Sequence, residues 1–141
     1  MVFFGLLIED KCKLSLPEIP LRVKFYGVRG SIPVPGPQTS RYGGNTSCIK
    51  LELDEDRYFI FDSGTGIRQL GLDLFKEQKK IETSLFITHT HWDHIHGFPF
   101  FGPVYAPNTF LDIYGPFHFD KKLEDVFAMQ MDYAYFPISA K

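Results

Sequence analysis

Cysteine is scarce. Cys12 and Cys48 are the only two in a chain of 141 residues, and two thiols without an export signal do not make a disulfide framework. Cys48 stands in an apolar, strand-like run and reads as a buried free thiol. Positive charge is not in excess: 15 Lys and Arg against 17 Asp and Glu give a net charge of −2, so there is no strong nucleic-acid signal in the bulk charge. A membrane-spanning run is also missing. The N-terminal MVFFGLLIEDK is apolar for only eight residues, short of the ~20 that a membrane helix needs. It lacks the basic start and small-residue cleavage site of a signal peptide. No membrane partner is expected, and the default compartment is the cytoplasm. Repeats, low-complexity tracts and charge blocks are absent too.

What is present suits a core. Hydrophobic residues make up 44% of the chain and aromatics 16%, with 15 Phe, ample for one domain of modest size. Residues 1–20 read as an N-terminal leader and 21–141 as the domain. Leu21 to Gly27 alternates, with Leu21, Val23 and Phe25 on one face and Arg22, Lys24 and Tyr26 on the other, which predicts a half-buried strand. VRGSIPVPGPQTSRYGGN reads as a long irregular loop. Cys48 to Leu53 and Arg57 to Asp62 flank the polar turn Asp54-Glu55-Asp56 and predict a hairpin. SGTG at Ser63 to Gly66 leads into an amphipathic helix from Ile67 to Lys80, with Ile67, Leu70 and Leu74 at helical spacing. Ser84 to Thr88 and Phe110 to Tyr114 predict two more strands. Asp120 is a candidate cap for a helix of about ten residues carrying Leu123, Val126 and Phe127. The chain stops at YFPISAK, where Ser139 would cap a new helix, so it is expected to end early.

Four of the five histidines lie in THTHWDHIHGFPFF, from Thr88 to Phe101. His89 and His91 are two apart at the end of an expected strand. Alternate strand residues point the same way, so both imidazoles are expected to reach one point. Asp93 and His94 follow within a turn and can serve a second point nearby. Neutral imidazole with carboxylate is a ligand set for zinc, and also for iron and manganese. For a lone histidine the bland reading of an ordinary surface or core residue would win. Here ligand-capable residues fill His89, His91, Asp93 and His94, and a metal site is the better reading. His96 lies one step too far along and is expected to face solvent.

THTHWDH resembles the metal-binding signature of the metallo-β-lactamase superfamily of hydrolases. FYGVRGSIPVPGPQTSRYGGNTSCIKLEL, FIFDSGTGIRQLG and HTHWDHIHGFPFFGPVY resemble one branch of it, the phosphoribosyl cyclic phosphodiesterases and their kin, the tRNA 3′-processing endonucleases. The likeness runs from about Val23 to Ile138, and one departure is His96, where glutamine is expected. The resemblance implies an α/β (α+β) fold, a four-layer αββα sandwich of two β-sheets with flanking helices. This chain would supply its N-terminal half, a mixed β-sheet with helices. The resemblance also implies two divalent metal ions, zinc first, with manganese and iron(II) left open. His89 and His91 would bind the first ion, and Asp93 and His94 the second. Asp62 would orient a ligand from behind by a hydrogen bond; as a residue alone, it reads equally well as a turn or cap before Ser63. Gly64 and Gly66 give the backbone room between strand and helix.

By that resemblance the chemistry is hydrolysis of a phosphodiester, small or cyclic, by a hydroxide shared between metals about 3.5–4 Å apart. Arg29-Gly30-Ser31 and Asn45-Thr46-Ser47 are candidate pocket loops, although turns with local side-chain to backbone bonds are the better reading. The ligand count falls short, since a catalytic zinc takes three protein ligands plus water. The only histidine after His96 is His118, in an unsuitable context. A second half, or a second copy of the chain, is expected to complete the site. Without it, one sheet face is expected to stay uncovered and to invite association. Two alternatives stay open: a non-catalytic remnant or interaction module with a partial metal site, and a tRNA 3′-processing nuclease.

Overall fold

The computed structural model describes residues 21–77, 80–117 and 121–138. The leader, His118, the Asp120 cap and the Ser139 cap fall outside those residues. The described chain builds one mixed sheet of five strands in sequential order. β1 (Arg22–Gly27), β2 (Cys48–Glu52) and β3 (Tyr58–Phe61) run antiparallel, and β4 (Ile81–Phe86) and β5 (Thr109–Tyr114) join parallel to β3. The change from antiparallel to parallel follows from the connections. A short polar turn suffices between β2 and β3, whereas the parallel step to β4 needs a crossover. That crossover is α1 (Gly66–Glu77).

Residue alternation gives the sheet two unlike faces. On one, Cys48, Ile60 and Leu85 meet Ile67, Leu70 and Leu74 of α1, all of them buried. Phe98 and Phe101 extend this core, and α3 (Leu123–Gln130) docks on it through Phe127, whose ring meets Phe98 edge-on at 4.5 Å. Lys50 is buried on the same face, with its ammonium 3.0 Å from Glu52 and 4.3 Å from the centre of the Tyr58 ring.

The other face carries Val23, Phe25, Ile49, Leu51, Phe59, Phe61, Phe86, Phe110 and Tyr114, as the strand register dictates. Phe86 stacks between Phe61 (5.4 Å) and Tyr114 (5.3 Å). No element among the described residues covers this face, and Phe25 and Phe110 stay 61% and 57% exposed. β1, expected to be half-buried, is therefore largely exposed on its apolar side.

Several element boundaries shift from the sequence reading, that of β4 by the most. α1 starts at Gly66. β4 starts at Ile81, three residues before the expected Ser84, and ends at Phe86. The early end has a local cause. Thr88 gives its backbone N–H to the Asp62 carboxylate (2.9 Å) instead of to a neighbouring strand. His89 and His91 thus stand on a loop beyond the strand, and strand alternation is not what aligns them.

Candidate metal and active site

The site is assembled from three loops at one end of the sheet. The first follows β4 and enters the single-turn helix α2 (Trp92–Ile95), with His91 at its N-terminal cap position. The second, Asp62 to Thr65, leaves β3. The third, Asn45 to Ser47, leads into β2. Hydrogen bonds lock the three together. Ser63 donates its N–H to the His94 carbonyl (2.7 Å), Gly97 donates to Ser63 (2.9 Å), and Gly64 donates to Ser47 (2.9 Å). Thr46 and Thr65 exchange bonds reciprocally: Thr46 N–H to Thr65 Oγ1 at 2.9 Å, and Thr65 N–H to Thr46 Oγ1 at 2.8 Å. Asn45-Thr46-Ser47 is therefore no locally bonded turn, since its side chains bolt one loop to another. Gly64 permits the close approach. A Cβ there would enter the Asp93 carbonyl oxygen and the Thr46 hydroxyl.

Asp62 sits at the centre of this framework. It is buried and holds a left-handed backbone at φ 60°, a conformation costly for most side chains and easier for Asp and Asn. Its Oδ1 accepts from the Thr88 N–H and the Thr88 hydroxyl, both at 2.9 Å. Its Oδ2 accepts from Ser47 Oγ at 3.1 Å and lies 2.7 Å from His94 Nδ1. Because an ionised carboxylate only accepts, Nδ1 of His94 must carry the proton. In the neutral imidazole Nε2 then keeps its lone pair, the form that ligates a metal.

His89, His91 and His94 cluster in front of Asp62. The His89 ring centre is 4.5 Å from that of His91 and 4.0 Å from that of His94. Asp93 reaches the same place, 3.5 Å from His94 Nε2. Its Oδ2 accepts the Ser31 backbone N–H at 2.8 Å. This bond holds the Asp93 carboxyl below the ordinary range. Partial burial opposes the effect, and a bond within the residue and the nearby His94 and His89 add to it. Among the described residues Ser31 is the other non-glycine residue at positive φ, 70°. The Arg29 side chain bonds locally, from Nε to the Ile32 carbonyl (3.1 Å), while its backbone N–H donates to the Asn45 carbonyl (3.0 Å). His96 closes α2 and is partly buried rather than turned to solvent.

The structure thus brings together every candidate of the sequence pattern: His89, His91, Asp93, His94 and Asp62. The supporting roles of Thr88, Ser47 and Ser31 were not readable from the pattern, because they depend on a backbone turn and on strained φ angles. The donor types suit a divalent cation, but their placement does not close on one. Among the described residues no three His, Cys, Asp or Glu side chains are set to hold a metal ion. The rings of His89 and His94 pack against each other, and Asp93 is turned toward Ser31. Cys48 offers no nucleophile, because burial, with the Asp62 charge adding to it, pushes its thiol far above the ordinary value.

A family model described as the metallo-beta-lactamase superfamily matches residues 41–137. Among curated proteins the chain is 30% identical over 103 residues to a ribonuclease Z of Oceanobacillus iheyensis, covering 69% of this chain and 33% of that protein. It is 37% identical over 79 residues to a ribonuclease Z of Lactococcus lactis subsp. cremoris, and 39% identical over 79 residues to one of Streptococcus pyogenes. Each of these two alignments covers 51% of this chain and 25% of the relative. The chain therefore spans a quarter to a third of the length of these relatives. No solved structure matches it significantly.

Proposed function

Because the chain belongs to the metallo-beta-lactamase superfamily, we propose that it carries part of the active site of a metal-dependent phosphodiesterase, with a small or cyclic phosphodiester as substrate. The observation that carries this reading is the cluster of His89, His91, Asp93 and His94 in front of the buried Asp62, which fixes the tautomer of His94. His89, His91, Asp93 and His94 are the ligands, Asp62 positions His94, and Ser31 positions Asp93. The family implies divalent ions. Zinc, two ions and a cytoplasmic setting belong to the proposal, as does the completion of the donor set by residues outside those described, in this chain, a second copy or a complementing partner. Among the described residues no helix is long and apolar enough to cross a membrane.

A second reading makes the phosphodiester that of an RNA. It draws on the relatives, which are ribonucleases Z.

The test is the double variant His89→Ala with His91→Ala. Bound metal per chain is measured by elemental mass spectrometry after equilibration with Zn²⁺ or Mn²⁺, and hydrolysis of a chromogenic phosphodiester is followed alongside. Metal retention and hydrolysis should both collapse, with the circular dichroism spectrum unchanged. Turnover retained by the double variant would sink the assignment.

A further inference from the structure

Beside the histidine cluster lies a cavity of about 710 Å³ that none of the ligand residues lines. Thr90 and Trp92 form one side of it, so it opens where the cluster's own chain segment passes. Ile95 and Met129 supply apolar wall, Tyr135 a second aromatic ring, and Lys121 a cation. The volume falls within the roughly 300–1,000 Å³ typical of small-ligand sites. Trp92 and Tyr135 are 69% and 80% exposed, so both rings are open to a ligand. The Lys121 ammonium has only a long contact with the Met129 sulfur, 3.9 Å, among the described residues.

We propose that this cavity seats the base of a nucleotide whose phosphodiester lies at the histidine cluster. Trp92 and Tyr135 stack on the base, and Lys121 meets a phosphate on its far side. The inference rests on the phosphodiesterase reading and deepens it, because it makes a nucleoside one of the two groups esterified to the substrate phosphate. The residue types fit that ligand. A base presents two π faces and few obligatory hydrogen bonds, and it is held by aromatic stacking in apolar surroundings. Trp92 also lies between His91 and Asp93, so a base stacked on it is fixed relative to the cluster by one residue of backbone on either side.

Trp92 is the only tryptophan in the sequence, so its emission reports on this site alone. The full chain is titrated with adenosine 5′-monophosphate, adenosine and ribose 5-phosphate, and with a short single-stranded RNA, under red-edge excitation. Saturable quenching by the nucleotide and the nucleoside is expected, and none by ribose 5-phosphate. Tyr135→Ala should weaken the nucleotide about tenfold, the share that one stacked base contributes. Tyr135 is exposed, so its loss leaves the core intact. The nucleotide should bind more tightly than the nucleoside, and Lys121→Gln should erase that difference. Tighter binding of the RNA than of the mononucleotide would assign the base to an RNA end, and equal binding to a free nucleotide; both support the site.

Absence of saturable quenching, equal quenching by ribose 5-phosphate, or an unchanged affinity in Tyr135→Ala would overturn the inference. The two readings fail separately. Hydrolysis of the chromogenic ester that His89→Ala with His91→Ala abolishes, without nucleotide quenching, removes only the base site. Nucleotide quenching together with hydrolysis that survives the double variant removes the metal-site reading and shows the cavity to serve some other nucleotide chemistry.

Discussion

Asp62 separates two jobs that one carboxylate performs, and two substitutions tell them apart. Asp62→Ala removes the acceptor for the Thr88 N–H, the Thr88 hydroxyl, Ser47 Oγ and His94 Nδ1 at once. A buried donor left bare costs about 1–3 kcal/mol. The Thr88 hydroxyl can turn to His89 Nδ1, 3.1 Å away. The other three donors do not recover so easily, and the alanine is also strained at φ 60°. The total is at least about 4 kcal/mol, a large part of the ~5–15 kcal/mol that stabilises a domain. Asp62→Asn behaves differently. It has the same shape and tolerates the left-handed backbone. Its amide oxygen still accepts from Thr88, so the cost is about 1 kcal/mol. Facing His94, however, the amide places an NH₂ where a carboxylate oxygen was. Nδ1 must then accept, the proton moves to Nε2, and the metal-binding lone pair is lost.

Chemical denaturation reads the stabilities, and long-range proton–nitrogen NMR correlations of the imidazole rings read the tautomer. Metal affinity, read by chelator competition, should fall about 10–100-fold in the asparagine variant, as losses of such supporting partners do. An asparagine variant that keeps the Nδ1–H tautomer of His94 would refute the coupling. One as unstable as the alanine variant would show that the negative charge, not the hydrogen-bond pattern, holds the three loops.

Gly64→Ala forces a methyl group into the Asp93 carbonyl and the Thr46 hydroxyl; thermal melting should show a loss of several kcal/mol or no folded protein, as overpacking without relief does. Acid stability should depend on Asp73, whose carboxyl is pulled down to about 2, first by the Lys76 ammonium and then by Lys24 and Gln69, against partial desolvation. Because the folded value lies below the ordinary 3.8, the stabilisation is complete above about pH 4 and is lost as pH falls toward 2. Solvent screening limits it to about 1 kcal/mol, and Asp73→Asn should flatten that segment of the stability profile. On the uncovered sheet face, Phe25→Lys with Phe110→Lys should suppress concentration-dependent self-association in light scattering while changing unfolding by only ~0.5 kcal/mol, as surface substitutions do; unchanged association would place the sticky surface elsewhere.

The fold was legible wherever apolar periodicity is clean. The β2–β3 hairpin, the helix bearing Ile67, Leu70 and Leu74, and β5 stand where alternation and helical spacing place them. β4 was misplaced because Ile81-Glu82-Thr83 alternates weakly, and because a side chain distant in sequence, Asp62, takes the Thr88 N–H and ends the strand. The residues of the site were legible by type, since His89, His91, Asp93 and His94 crowd one segment. Of their supports, Asp62 was indicated by the family resemblance alone, and Ser31, Ser47 and Thr88 were not legible. Ser31 reaches Asp93 across 62 positions, and Thr46 meets Thr65 across 19, and no local pattern carries such pairings. Trp92 and Tyr135 look like ordinary surface aromatics until the fold sets them around one cavity.

The two unfinished features of the structure are physically one. Phe61 on the uncovered face is followed at once by Asp62, and Phe86, stacked between Phe61 and Tyr114, lies three residues before His89. A segment that buries this aromatic ladder and reaches the ends of β3 and β4 meets the cluster, where no three donors among the described residues are set to hold a metal ion. Covering each exposed phenylalanine releases about 1.5–3 kcal/mol, enough to hold an incoming segment that brings further imidazole or carboxylate groups. Burial and ligation would then be linked. A segment that covers the face raises the affinity for the ion, and by thermodynamic reciprocity the ion tightens the hold on the segment by the same factor. A residue such as Phe25, which touches no ligand, then affects metal affinity through the face it helps to cover.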